Sequence, residues 1–170
     1  MQKQVLDIDE LAIDTEYIAL EKDGAEIVDL YNECSLESTD LYNGTFVMKF
    51  LKITDSKRLG YHDVVEVHLM HAVITKMIID NVLDDWTSLQ YIKRLSANGT
   101  ELYEMNIAEM TLTIQTSGIV CYAREATVRE IEIHETKRSF RIPIEDRTVE
   151  QKSLMSKPIT QERVYSKYSF

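Results

Sequence analysis

The sequence predicts a mainly β, α+β domain: an antiparallel β-barrel or sandwich with one short helix over about 84–96 and extended N- and C-terminal arms. Three observations predict it. Asp23-Gly24 and Asn43-Gly44 stand beside runs of strand-forming residues, where tight turns want residues that tolerate positive φ. Beyond residue 110 the apolar positions alternate with a period of two, and only one segment repeats at a spacing of three.

Residues 1–15 fit neither period and read as an arm, followed by a β-rich domain over 16–144 and a C-terminal arm over 145–170. Within the domain, Tyr17–Leu20 and Ile27–Tyr31 flank Asp23-Gly24 as a hairpin. Asn43-Gly44 then introduces a strand over Thr45–Ile53, covered mostly on one face, with Val47, Lys49 and Leu51 together on one side. Val64–Ile79 suits a long strand by composition and a buried helix by length; its first half reads as strand.

The helix is expected where Asp84 and Asp85 can cap, where Trp86, Leu89, Ile92 and Leu95 recur every three residues, and where Asn98-Gly99 can stop it. Met110, Leu112 and Ile114 then share one strand face, and Ser117-Gly118 is expected to turn the chain into a second hairpin with Ile119–Ala123. Ile131 and Ile133 alternate with Glu130, Glu132 and His134, and Phe140, Ile142 and Ile144 with Arg141 and Pro143, which reads as two more half-exposed strands. Pro143 cannot donate to a ladder, so the last of these belongs at an edge or bulge, where another subunit can add.

The chain has 170 residues, 44% of them hydrophobic, and a formal charge of −10, enough apolar content for one core and a sign that repels nucleic-acid phosphates. The last 26 residues carry +1 and the other 144 carry −11, so a mildly basic tail accompanies an acidic body. Cys34 and Cys121 lie in no disulfide or zinc spacing, and reduced thiols are expected. The first residues lack a signal-peptide pattern and no apolar run reaches the length of a membrane span, so the expected location is the cytoplasm or a particle assembled there.

Reaction chemistry has little to stand on. His62, His68 and His71 are a candidate metal set, but on a strand His68 and His71 point to opposite faces, and ordinary strand histidines explain them better. Asp80, Asp84 and Asp85 read as caps and solvated surface, and Cys121 as a core thiol with nothing to mark His134 as its base. Asn43-Gly44-Thr45 and Asn98-Gly99-Thr100 match a glycosylation acceptor and read as turns. Five glycines form no phosphate-cradling motif. No enzyme activity, cofactor or metal is expected. The candidate subunit-interface residues are Pro143, Arg163, Tyr165, Tyr168 and Phe170, because aromatics and arginine suit interface cores; a tail folded back on its own core, or frayed, explains the last four equally.

Ser35–Gly44, the strand ending Lys52-Ile53-Thr54-Asp55-Ser56, and Val64-Val65-Glu66-Val67-His68-Leu69 together resemble the opening of tail-hub and baseplate proteins of contractile-tailed bacteriophages. Phe140–Arg147 and Arg163–Lys167 resemble a later part of the same pattern. Such hub proteins are longer, so the resemblance implies a smaller tail, baseplate or neck component with a related β-barrel. It implies a structural role in a virion, with rings formed through β-edges and terminal arms, and partners that are other copies of the chain and neighbouring virion proteins. The competing reading, from charge, is a small acidic inhibitor that occupies a basic nucleic-acid-binding surface of a host or defence enzyme.

Overall fold

The computed structural model describes residues 3–14, 17–53, 63–79, 89–95, 100–107, 110–140 and Val149. The chain divides into two compact units, the first ending at Glu125 and the second opening at Ala126. Its described residues form twelve strands: β1 (Gln4–Leu6), β2 (Glu10–Asp14), β3 (Tyr17–Lys22), β4 (Ala25–Asp29), β5 (Cys34–Tyr42), β6 (Thr45–Lys52), β7 (Asp63–Met70), β8 (Val73–Ile79), β9 (Leu89–Arg94), β10 (Glu101–Ile107), β11 (Met110–Thr116) and β12 (Gly118–Glu125), all in the first unit. From the second, the structure describes the helix α1 (Val128–Phe140).

The strands form three antiparallel sheets, ordered β1-β12-β7-β6-β5, β8-β11-β10-β9 and β2-β3-β4. None closes into a barrel, and their arrangement is sandwich-like, as the sequence predicts in class. One apolar core draws on all three: Leu11, Leu20 and Val28, then Phe46, Phe50 and Val67, then Tyr103, Met105 and Leu112. The alternation of β10 shows how the sequence does this, since Tyr103, Met105 and Ile107 are buried while the residues between them are partly exposed.

Two hairpins follow directly from their turn residues. Asp23 and Gly24 lie at φ 52° and 69°, and Asn43 and Gly44 at 49° and 72°, the positive pair that a two-residue hairpin turn needs. The first joins β3 to β4 and the second joins β5 to β6. Residues 34–42 are too polar to announce a strand, yet β5 forms there because β6 offers it an edge.

Several expectations need correction. The N-terminal segment read as an arm supplies β1, paired with β12, and β2, paired with β3. The helix expected over 84–96 is a strand at Leu89–Arg94; residues 84–88 and 96 lie outside the described set. The misleading spacing of three has a physical origin. The β9–β10 register slips between Tyr91 and Leu89, so a bulge lets both Leu89 and Ile92 reach the core. The helix instead occupies Val128–Phe140, overturning the strand expected around Ile131 and Ile133 and the start of the one expected from Phe140. Its beginning is fixed by a capping box: the Glu130 backbone N–H donates to Thr127 Oγ1 at 3.1 Å, and the Thr127 backbone N–H donates to Glu130 Oε2 at 2.9 Å.

Ser117-Gly118 is a corner rather than a hairpin. β12 pairs with β7 and β11 pairs with β8, so β7–β8 and β11–β12 form one two-stranded ribbon that bends from the first sheet into the second. His71, at φ 49°, makes the bend on one strand. On the other, Thr116 Oγ1 donates to the Met70 carbonyl at 2.7 Å, which satisfies the buried hydroxyl of Thr116. The whole of Val73–Ile79 is therefore strand, resolving the ambiguity of that stretch.

Candidate functional site

Three regions of the β unit carry features that packing alone does not explain. The first is a buried carboxylate on the outer face of the five-stranded sheet. Register places Glu66 of β7 between Lys49 of β6 and Tyr122 of β12. Lys3 donates to Glu66 Oε2, His68 Nε2 lies 3.1 Å from the same oxygen, and Arg124 Nε lies 3.5 Å from Oε1. His68 also meets the Tyr122 ring edge-on at 4.7 Å, and Lys3 lies 5.8 Å from that ring's centre. Burial pushes the Glu66 carboxyl up, but the hydrogen bonds from Lys3 and His68 and the charges of Lys3 and Lys49 outweigh it, leaving the group below its ordinary value. Among the described residues, the side chains paired with Glu66 are cations or a ring nitrogen, so the arrangement clasps β12 and the residue ahead of β1 to β7.

The second region is acidic. Between Asp7 and Asp29 the chain has nine Asp or Glu residues and one lysine, so this stretch carries −8 of the total −10. Register sets Glu10, Glu21 and Glu26 side by side across β2, β3 and β4. Lys22 bridges Asp7 at 3.2 Å and Asp9 at 2.9 Å, and its ammonium, together with the Asp23 backbone N–H, holds the Asp9 carboxyl below its ordinary value.

The third region is the outer edge of β8. This strand has β11 on one side and forms the margin of its sheet. Val73, Met77, Ile78 and Ile79 are 55%, 42%, 40% and 65% exposed, and of the seven residues only Ile74 is partly covered. The opening has a structural cause. Along β7 the outer side of the ribbon is filled by β6, but the β5–β6 hairpin stops at Asn43-Gly44, where the Ala72 N–H donates to the Gly44 carbonyl at 2.6 Å. Beyond that corner no described strand continues the line of β6. A bulge beside Thr75 and the single charge of Lys76 are the edge's only protection against pairing, among the described residues.

The candidate interface residues Pro143, Arg163, Tyr165, Tyr168 and Phe170 all lie outside the described residues, as do His62, Asp80, Asp84, Asp85 and Asn98-Gly99. His68 and His71 are not brought together: His68 joins Glu66, and His71 Nδ1 lies 2.7 Å from Ser117 Oγ at the corner. No three metal-ligating side chains converge among the described residues. Cys121 is fully buried, and burial pushes its thiol up to about 12. Cys34 is likewise pushed up to about 12, by burial first and then by Glu33, with Lys52 opposing and Asp29 adding. Neither sulfur is available as a thiolate nucleophile. Sequence reasoning missed β8 as an edge because Val-Ile-Thr-Lys-Met-Ile-Ile has the composition of a buried strand. The turn at Asn43-Gly44 was the available signal, since it marks where the neighbouring hairpin ends.

No family model matches the chain, and neither a curated protein nor a solved structure matches it.

Proposed function

We propose that this chain is a structural assembly protein whose copies join through sheet edges into a ring, the role implied by its resemblance to bacteriophage tail, baseplate and neck components. The observation that carries the reading is the β8 edge, seven residues long and apolar, with exposed side chains along nearly its whole length. An open strand edge offers unpaired N–H and C=O groups to another chain, and exposed apolar side chains add burial on pairing. Size-exclusion chromatography with light scattering, together with proteomics of purified particles, tests it. Expected is a concentration-dependent oligomer and recovery of the chain in particles; a stable monomer absent from any particle overturns the reading.

The concentration of charge in β2–β4 favours a second reading, an acidic inhibitor that docks on a basic nucleic-acid-binding protein. It predicts a one-to-one complex with such a protein that weakens steeply with salt, and loss of binding when Glu10, Glu21 and Glu26 are all changed to Gln.

A further inference from the structure

Edge-to-edge assembly needs a second edge, and the chemistry of β8 narrows which one. Lys76 is the single charged residue of β8 and is exposed. It pairs in register with Thr113, which lies on the side of β11 away from the buried Leu112 and Ile114. Met77 and Ile79 pair with Leu112 and Met110, so they belong to the core side and extend it to an uncovered margin. A strand that completes this edge must therefore be apolar on the core side and acidic on the other.

Of the described edge strands with an apolar core side and an acidic outer residue, β5 is the one at least as long as β8, whereas β2 and β4 have five residues each. β5 is the margin of the five-stranded sheet, nine residues long against seven for β8. Its Leu36 and Leu41 pair with the buried Phe50 and Phe46, which puts them on the core side. Asp40 pairs with Val47, faces the other way and is exposed. Aligning the core sides of β5 and β8 thus brings Asp40 and Lys76 to the same outer face. Among the described residues neither is in an ion pair.

We propose that the open edge of β8 in one copy takes the edge strand β5 of the next, with Lys76 set against Asp40. This rests on the assembly reading above and specifies its geometry. Two different edges meet, so the contact is head-to-tail; a joined pair still has a free β5 at one end and a free β8 at the other, and the chain of copies closes as a ring or continues as a filament. A β8–β8 pair would instead give a two-fold dimer and stop.

The experiment is a charge swap on the full chain, read as the midpoint concentration of assembly by light scattering. Lys76→Glu alone and Asp40→Lys alone each replace an attraction with a repulsion across the new strand pair, and each is expected to raise the midpoint about fivefold. The double variant restores the pair in reversed sense and is expected to return to the wild-type midpoint. Both positions are exposed, so unchanged circular dichroism and thermal midpoints verify folding. If the single variants assemble like wild type, if Lys76→Glu assembles more tightly, or if the double variant is weaker than either single one, the β5–β8 pairing is wrong while assembly itself stands. A wild-type chain that stays monomeric at every concentration overturns both.

Discussion

Glu66 ties together the outer face of the five-stranded sheet, because Lys3 just ahead of β1, His68 of its own strand and Arg124 of β12 all meet its one carboxylate. Its carboxyl is held below the ordinary value of 4.5 in the folded chain, so the unfolded chain takes up the proton first as pH falls. The stability it contributes is therefore complete above about 4.5 and is lost as pH drops through the lower folded value. Glu66→Gln should cost about 2 kcal/mol near neutral pH, the scale of charged hydrogen bonds removed from a buried site. Urea titrations between pH 7 and 3 should show the gap between wild type and variant narrowing on the acid side. A constant gap would remove Glu66 from the acid response. The thiols give a separate test at the same scale. With both pushed up to about 12 by burial, a maleimide or disulfide reagent at pH 8 should label neither Cys34 nor Cys121 in the folded chain and both in denaturant.

At the scale of elements, local chemistry decides some structures and tertiary register decides others. An added Cβ at Gly44 meets no atom within 4 Å, so Gly44→Ala isolates the strain of positive φ. It should cost about 1 kcal/mol and loosen the β5–β6 hairpin, read as faster amide exchange at its tip. Thr127→Ala removes the cap that begins α1 and should cost about 1 kcal/mol of helix stability, measured by amide exchange over Val128–Phe140. The same comparison explains what the sequence made legible. Asp23-Gly24 and Asn43-Gly44 are readable because two residues contain the whole instruction. α1 was hidden because Ile131 and Ile133 mimic strand alternation, although Thr127 and Glu130 carried a capping signal. β9 was hidden for the opposite reason: its bulge gives Leu89 and Ile92 a helical spacing, and only the partner strand β10 reveals the slip. The exposure of β8 is not written in its own residues, since it depends on where a different hairpin ends, and only the Asn43-Gly44 turn of that hairpin hints at it.

For the whole molecule, the two functional readings make opposite demands on salt. Copies that each carry −10 repel one another at low ionic strength, so association through an apolar strand edge must overcome that repulsion. Raising salt to about 1 M shortens the screening length to roughly 3 Å, which removes the repulsion and leaves apolar burial and backbone pairing intact. A Lys76–Asp40 contact at such an interface directs which edges meet more than it sets their strength. Self-association should therefore tighten as salt rises, and sedimentation velocity across a salt series should show larger species at high salt. Docking of β2–β4 on a basic protein has the reverse dependence, because the attraction itself is what salt screens. Replacing Met77 and Ile79 with lysine separates the two further. Both side chains are already exposed, so the fold should survive with little change in thermal midpoint. The double variant should nevertheless remain monomeric in the same salt series while keeping any binding that runs through Glu10, Glu21 and Glu26. Salt-driven growth that persists in this variant would show that β8 is not the edge that assembles.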